Sequence, residues 1–320
     1  MAENLQVDKG ASLWRDAWKR LLKNRLAVFG LVVLVLMTFL VIVGPALIYQ
    51  LTGLTADGIP ENSDLIKSFP PSWQHLMGTD EAGRDLFARV LQGGRISLMV
   101  GLISTAVSLI VGVTYGATAG YLGGMIDNIM MRIVDMIYAV PYILIVIVLL
   151  KVFGGANTPA WIQSLASAFG GEGNQPLSQI FLLFFALGLV SWLTMARVVR
   201  GQILSLKNQD FVVAARATGV STFGIIFRHL VPNALGPVIV YATLTVPSVM
   251  LTEAFLSYLG LGVQAPFASW GSLASDGIKN IAIFPWQLLF PGLTMALTLF
   301  SLNFLGDGLR DALDPRETRS

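Results

Sequence analysis

The sequence predicts an all-α membrane protein with six transmembrane helices and both termini in the cytoplasm. Three observations predict this fold class: the composition, the length of the apolar segments and the distribution of basic residues. Of the 320 residues, 54% are hydrophobic and 12% are charged, whereas an average soluble domain is about 25% charged. The mean hydropathy of +0.69 favours lipid as the solvent for much of the chain.

The apolar segments give the number of spans. A helix that crosses the hydrocarbon layer needs about 20 apolar residues at a rise of about 1.5 Å per residue. Six stretches meet this requirement, and they cover residues 26–49, 96–119, 129–152, 180–196, 235–255 and 286–305. An even number of spans places both termini on the same side of the membrane.

The basic residues give the orientation. With the N-terminus inside, about fifteen Lys and Arg residues fall on the cytoplasmic side and about six on the outer side, as the positive-inside rule requires. The resulting division is a cytoplasmic arm at 1–25, a first transmembrane helix at 26–50 and an extracytoplasmic loop at 51–95. A five-helix permease core follows at 96–306, with a cytoplasmic coupling loop at 208–233 inside it and a cytoplasmic tail at 307–320.

The N-terminal arm is polar and basic, and the apolar run that follows is longer than the roughly 7–15 residues of a cleaved signal core. We therefore expect a signal anchor that is retained. Trp14, Trp18 and Leu21 recur at helical spacing among the basic residues. That pattern is typical of a short helix on the cytoplasmic membrane surface, and an ordinary basic flank of the first span is the alternative.

The connection between the fourth and fifth spans is too polar to cross the membrane and too regular for an irregular loop. Residues 211–217 can form a short helix that ends at Gly219, since glycine adopts the left-handed conformation without strain. Ser221 or Thr222 can cap a second short helix, and we expect Pro232 to stop it. Small and aromatic residues then offer a surface that another protein can approach, and they are Ala214, Ala215, Ala217, Phe223 and Phe227.

This connection resembles the EAA loop of ABC importer permeases. Ala214, Ala215, Gly219 and Pro232 occupy matching places and His229 lies in the tail of the motif, while Val213 replaces the family glutamate. The resemblance implies an element that inserts into a groove on a separate ATPase subunit. A helical hairpin folded back on the protein's own spans is the alternative interpretation.

Further segments resemble the peptide/nickel branch of these permeases. The signature in the outer loop comprises Gly78, Thr79, Asp80, Gly83, Arg84 and Asp85. Similar segments occur at 94–98, 257–262, 269–271 and 306–315. The resemblance extends along the chain and is nearest to the C-type permease subunit of oligopeptide importers.

Span five contains Pro237 and Pro247, which can bend it. Its modest polar groups are candidates for the translocation pathway, and they are Thr245, Ser248, Thr252 and Glu253. For Glu253, contact with a peptide amine at the outer mouth, exposure to water and capping of a neighbour all remain open.

Charged and glycine residues suggest three further features. Asp127 and Asp135 can each pair with Arg132 across helical turns near the inner end of span three. Charged residues of the signature loop can form a salt-bridged cap on the outer side. Glycines at spacings of four allow close helix packing, either static or sliding, and they are Gly112, Gly116, Gly120 and Gly124.

The sequence also excludes several classes of protein. It has no cysteine, which excludes disulfides and thiolate metal sites. It has no phosphate-binding P-loop motif, its two histidines lie on opposite sides of the predicted membrane, and no basic patch suggests nucleic acid. We therefore expect no catalytic or metal site and no cofactor bound by this chain.

The resemblance implies one permease subunit of an ATP-driven importer in the inner membrane, with oligopeptides as cargo. Its implied partners are a homologous second permease, two ATPase subunits that bind ATP and Mg²⁺, an extracytoplasmic peptide-binding protein and the lipid bilayer. Dipeptides, nickel complexes and glutathione are alternative cargoes. An ion-coupled secondary transporter is the alternative from another class, but neither the ionisable groups at mid-membrane nor the repeated halves of that class are evident.

Overall fold

The computed structural model describes residues 13–58, 68–168 and 175–313. Within these ranges the regular elements are helical, with a 3-10 turn at Gly155–Asn157, a π turn at Ile225–Leu230 and one isolated bridge between Thr79 and Asp85. The helices in chain order are α1 Leu13–Leu21, α2 Arg25–Thr52, α3 Leu86–Leu122, α4 Gly124–Tyr138, α5 Tyr142–Phe153, α6 Ala160–Ala168, α7 Gln175–Leu206, α8 Asp210–Ala217, α9 Thr222–Gly224, α10 Val231–Tyr258, α11 Trp270–Lys279 and α12 Trp286–Leu313.

Five helices in the described ranges are long and apolar enough to cross a membrane, and they lie in α2, α3, α7, α10 with its preceding turns, and α12. The sixth span is the pair α4 and α5, which are bent by 84° relative to each other. The sequence predicts one continuous helix there, at 129–152, and this is wrong. Pro141 stands at the break, directly before α5. Since proline has no N–H to donate to the preceding turn, the helix cannot continue through it without losing a hydrogen bond.

α3 begins earlier than predicted, at Leu86 rather than at residue 96. The carboxylate of Asp85 accepts a hydrogen bond from the N–H of Ala88 at 2.8 Å, which caps the first turn. The final part of the predicted outer loop at 51–95 is therefore helical.

The glycine ridge of α3 packs against α7. A Cβ atom at Gly116 would lie 2.3 Å from the carbonyl oxygen of Ala196, and one at Gly112 would lie 2.6 Å from the Cβ of Met195. Only glycine allows the two backbones to approach this closely. Gly124 lies apart from the ridge, at the start of α4 with a φ of +56°. Close helix packing is thus confirmed, and sliding stays a prediction.

α1, the start of α2 and the end of α12 meet in a small apolar cluster. Ala17 and Leu21 of α1 are buried in it with Ala27, and Leu309 packs against them. α12 therefore continues to Leu313, so that the predicted tail at 307–320 is helical as far as the described residues reach. The helix predicted in the N-terminal arm is confirmed, while its position on the membrane surface stays a prediction.

Candidate functional site

The coupling loop has the local structure that its sequence predicts. α8 ends before Gly219, whose φ is +78°, and the N–H of Val220 bonds to the carbonyl of Ala215 at 3.1 Å. This is the left-handed helix ending that glycine favours. Ser221 then caps the next turn, because its Oγ accepts from the N–H of Gly224 at 3.3 Å.

One side of the coupling loop is exposed. The side chains of Val213 and Phe223 are 54% and 71% exposed, and Ala214 and Ala217 are exposed beside them. We call these four residues the docking face. Ala215, which the sequence groups with the exposed small residues, is instead buried.

The other side of the coupling loop packs on the protein's own helices. Val212, Ala215 and Leu230 lie in one apolar cluster with Ala117 of α3 and Ile203 of α7. Polar contacts add to the packing at the same end, since Lys207 donates to the carbonyl of Gly120 at 3.1 Å and Arg216 to the hydroxyl of Tyr121 at 3.3 Å. One side of the coupling loop therefore packs on the spans of the same chain, while the docking face on its other side is exposed.

Pro232 does not stop a helix, contrary to prediction. Residues Thr222–Tyr258 form one helical run, which contains the π turn at Ile225–Leu230. In that turn the N–H of Val231 bonds to the carbonyl of Ile226, one residue further back than in an α-helix. The wider turn accommodates a proline that lacks an N–H and crowds the preceding turn. Phe223 is exposed in the first turn of this helical run, and its ring is tilted against that of Phe227 with 4.6 Å between the ring centres. His229 is half-buried and Pro232 is exposed.

The predicted pathway residues divide into two pairs. Ser248 is exposed and Thr252 is half-buried, with its hydroxyl 3.2 Å from that of Tyr142. Thr245 is buried and donates to the carbonyl of Tyr241, and Glu253 is only 1% exposed.

Glu253 joins α10 to α11. Its Oε1 accepts hydrogen bonds from the hydroxyls of Ser257 and Ser269, each at 2.7 Å. Ser269 is also the N-cap residue of α11. Of the three roles left open by the sequence, this geometry corresponds to capping a neighbour.

The signature loop before α3 is organised around Asp80. Its carboxylate accepts from the N–H groups of Ala82 and Arg84 at 2.9 Å, from the Nε of Arg84 at 2.7 Å and from the Nη1 of Arg89 at 2.5 Å. Gly78 and Gly83 have positive φ values of 75° and 78°, which suits glycine in a tight turn. The predicted salt-bridged arrangement is confirmed for Asp80 with both arginines.

The same loop fixes the start of α12. The carbonyl of Thr79 accepts from the side chain of Gln287 at 3.1 Å and from the indole of Trp286 at 3.3 Å. Asp85 also contacts His75, with 2.9 Å between Oδ2 and Nδ1. The loop therefore connects the first turn of α3 to the first turn of α12 through hydrogen bonds.

The acidic residues of α4 pair with α7 and not with Arg132. Asp127 receives two hydrogen bonds from Arg200, at 2.5 and 2.6 Å, and Asp135 receives one from Arg197 at 2.7 Å. The predicted pairing within α4 is wrong because the side chains of Arg197 and Arg200 reach these carboxylates from α7.

Sequence reasoning missed the role of Trp270, which is completely buried. Its indole donates to the carbonyl of Val90 at 2.8 Å, and its backbone N–H donates to the Oγ of Ser97 at 2.9 Å. The signal was the Ser-Trp-Gly segment, in which a buried tryptophan needs a partner for its N–H.

The described ranges contain no group of three or more His, Cys, Asp or Glu residues arranged to hold a metal ion.

Comparison with known proteins identifies the family. Residues 112–319 match the family described as binding-protein-dependent transport system inner membrane component. Residues 12–65 match the N-terminal transmembrane domain of oligopeptide transport permease C.

Individual relatives match over nearly the whole chain. The oligopeptide transport system permease protein OppC of Escherichia coli K12 is 47% identical over 99% of this chain and 95% of its own. OppC of Bacillus subtilis is 42% identical over 96% of this chain and 91% of its own. The dipeptide transport system permease protein DppC of B. subtilis is 43% identical over 96% of this chain and 87% of its own.

A solved structure supports the fold. A chain of the inward-facing MetNI methionine ABC transporter superposes with a TM-score of 0.50 at 16% identity, covering 70% of this chain and 96% of that one. With a spanning-helix architecture, an exposed helical connection between α7 and α10 and matches over most of its length, this chain belongs to the family of binding-protein-dependent transport system inner membrane components.

Proposed function

We propose that this chain is the C-type permease subunit of an ATP-driven importer whose cargo is oligopeptides. The observation that carries the proposal is the docking face, which is exposed on its outer side and continuous with the helical run Thr222–Tyr258. The names of the relatives support a peptide cargo, since OppC of E. coli and OppC of B. subtilis are oligopeptide permeases and DppC of B. subtilis is a dipeptide permease.

The partners follow from the absence of nucleotide-binding motifs in the sequence. A chain without a P-loop motif does not bind ATP in the usual way, so ATP and Mg²⁺ belong to two separate ATPase subunits beneath the docking face. A homologous second permease completes the pathway in the inner membrane, and an extracytoplasmic peptide-binding protein delivers the cargo. Of the pathway candidates named from the sequence, Ser248 and Thr252 are the ones we propose to face the pathway, because Thr245 and Glu253 are buried.

The proposed coupling mechanism depends on the continuous helical run Thr222–Tyr258, which begins at the docking face. When ATP brings the ATPase subunits together, each carries the docking face of its permease with it. Because the inner side of the loop packs on α3 and α7, the displacement reaches the spans. The spans then switch between an inward-open and an outward-open arrangement, because nucleotide binds to the complex with different affinity in the two states.

The first test removes contacts from the docking face. Phe223→Ala deletes an exposed anchor and Ala214→Arg places a bulky cation on an exposed small residue, whereas a charge at the buried Ala215 would disturb the core. We expect both variants to assemble and insert normally, to lose peptide uptake and to lose the stimulation of ATP hydrolysis by peptide. Lys19→Ala, which changes an exposed residue of α1, is the control with normal uptake.

Normal uptake by the complete complex carrying Phe223→Ala and Ala214→Arg together, at normal subunit content, would refute the coupling role. Cargo is tested by competition, in which unlabelled oligopeptides should block uptake of a labelled oligopeptide more strongly than dipeptides, nickel complexes or glutathione. Stronger competition by any of the latter would reassign the cargo within the family.

Orientation is tested with single cysteines, for which the cysteine-free chain is suited. An impermeant thiol reagent should label Phe223→Cys only from the cytoplasmic side and Trp73→Cys, which replaces a 97% exposed residue, only from the outer side. The reverse pattern would place the docking face away from any cytoplasmic ATPase.

A further inference from the structure

The break between α4 and α5 falls midway along the predicted third span, 129–152. Tyr138, the last residue of α4, is hydrogen-bonded through its hydroxyl to Thr194. Thr194 belongs to the candidate span Leu177–Leu206. The interruption at Ala139–Pro141 therefore lies within the part of the chain that we assign to the membrane.

Backbone at this depth needs protein or water around it. Pro141 has no N–H, and no side chain among the described residues caps the first turn of α5. Non-helical backbone inside a membrane is tolerated only where it is buried in protein or lines a water-filled cavity. In this chain the break borders a cavity of about 330 Å³, whose lining is apolar except for Tyr138, Tyr142, Ser191 and Thr194.

Polar side chains on both sides of the break are open to the surroundings. Asp135 and Arg197 form an ion pair at 2.7 Å, although their side chains are 65% and 44% exposed. The guanidinium of Arg197 also lies 4.1 Å from the centre of the Tyr138 ring. We call this set the break stripe, and it consists of Asp135, Tyr138, Tyr142, Thr194, Arg197 and Thr252.

The break stripe contrasts with the outward side of α2. There the most exposed residues are apolar, with Val35, Phe39 and Ile42 between 55% and 61% exposed, as suits contact with lipid chains. Charged side chains at membrane depth instead face the interior of a bundle or a water-filled cavity. Exposed neighbours of the break stripe on α4 and α5 are themselves apolar, among them Met136 and Leu144, so the ion pair and the two tyrosines form a narrow polar strip within this surface.

We propose that the break stripe lines the water-filled path of the translocated peptide, with Tyr138 and Tyr142 forming a constriction at the bend. The tyrosine hydroxyls hydrogen-bond to the peptide backbone, and their rings contact apolar cargo side chains. The ion pair of Asp135 and Arg197 beside the constriction presents both signs of charge at one point, so that either terminus of a passing peptide meets an opposite charge there. This assignment rests on the proposed function and deepens it.

The test measures water access and peptide protection at single cysteines in the complete complex. Ser191→Cys and Tyr138→Cys probe the cavity, and Val35→Cys on α2 is the lipid-facing control. A charged thiol reagent attacks only the thiolate, whose formation is suppressed in apolar surroundings, so labelling in the cavity should be at least about tenfold faster than at Val35→Cys. Added oligopeptide should slow labelling at both cavity positions and leave the control unchanged.

Two results would overturn the assignment. Labelling at Ser191→Cys and Tyr138→Cys as slow as at Val35→Cys means that the break is dry, covered by lipid or by the second permease. Fast labelling that oligopeptide does not slow means a wet cavity that the peptide does not enter.

A conservative variant adds a functional readout. Tyr138→Phe keeps the ring and removes the hydroxyl, and we expect it to raise the KM for peptide uptake several-fold while the complex assembles normally. An unchanged KM would exclude the hydroxyl from peptide contact. If the unsubstituted complex transports no peptide, the proposed function itself fails, and with it this assignment. If it transports peptide but the labelling results are negative, only the assignment fails.

Discussion

The guanidinium of Arg95 donates a hydrogen bond to the backbone carbonyl of Val41, with 2.8 Å between Nε and the oxygen. Val41 lies one helical turn before Pro45 in α2. Since proline has no N–H, this carbonyl has no partner within its own helix. Arg95 of α3 supplies the missing donor and also reaches the carbonyl of Ile42 at 2.5 Å. The proline that disturbs α2 thus provides the acceptor that attaches it to α3.

We expect Arg95→Met to lower the free energy of unfolding by about 1.5–3 kcal/mol, the usual contribution of a hydrogen bond to a charged group. The substitution keeps an unbranched side chain of similar length but leaves the Val41 carbonyl unpaired. The measurement is the denaturation midpoint of the purified protein in lipid or mild detergent.

The control uses Pro45→Ala, which restores a backbone N–H for Val41. In that background Arg95→Met should cost less, so that a double-mutant cycle gives a coupling energy clearly different from zero. Equal costs of Arg95→Met with and without Pro45 would contradict the explanation.

The contact of α3 with α7 gives a second prediction. A Cβ at Gly116 meets the backbone oxygen of Ala196 at 2.3 Å, and that backbone cannot turn aside as a flexible side chain can. Gly116→Ala should therefore separate the helices and cost about 1–3 kcal/mol, as overpacking usually does.

Gly201→Ala is the matched control for Gly116→Ala. Gly201 is also inside a spanning helix, α7, but a Cβ there meets nothing within 4 Å. The control should gain about 0.5–1 kcal/mol from reduced backbone freedom in the unfolded chain. Thermal denaturation of the two variants side by side distinguishes the effects, and a stabilised Gly116→Ala would show that the helices can move apart freely.

Local features of the coupling loop could be predicted because they depend on few residues. The positive φ of Gly219 and the cap formed by Ser221 follow from the backbone preferences of these residue types. The early start of α3 belongs to the same class, since Asp85 before an apolar helix is a recognisable cap. Hydropathy alone placed that boundary too late because Arg89 and Arg95 interrupt the apolar run.

Features that depend on distant parts of the chain could not be predicted in this way. Asp127 pairs with Arg200 rather than with Arg132 because the long arginine side chain reaches it from α7, and no local rule states which helices face each other. The effects of Pro141 and Pro232 could likewise not be predicted from the local sequence. Pro141 accompanies a break of 84°, whereas Pro232 is accommodated by a π turn in a continuous helix.

The signature loop gives a third prediction. Asp80 is the common acceptor for both Arg84 and Arg89, and the side chain of Arg89 is only 7% exposed. Asp80→Ala leaves this cation without its partner, and breaking such a pair costs about 3–5 kcal/mol. We expect a large fall in thermal stability together with faster hydrogen exchange at the start of α3.

Glu81→Gln is the control for the signature loop. It alters the neighbouring carboxylate, which is exposed and contacts Asn280, and exposed polar contacts of this kind are worth about 0–1 kcal/mol. Comparable losses in the two variants would mean that the loop responds to net charge rather than to the specific contacts of Asp80.

The last prediction concerns the junction of α10 with α11. Glu253→Ala removes the acceptor of two serine hydroxyls, and each buried hydroxyl left unpaired costs about 1–3 kcal/mol. Glu253→Gln keeps one side-chain oxygen as an acceptor and should cost less than Glu253→Ala. Because Ser269 also caps α11, the loss should include weaker hydrogen-exchange protection in the first turn of that helix.

In a double-mutant cycle, Glu253→Ala and Ser269→Ala should together cost less than the sum of their separate effects. Full additivity would show that the two side chains act independently, and the junction would then depend on the packing of Trp270 alone.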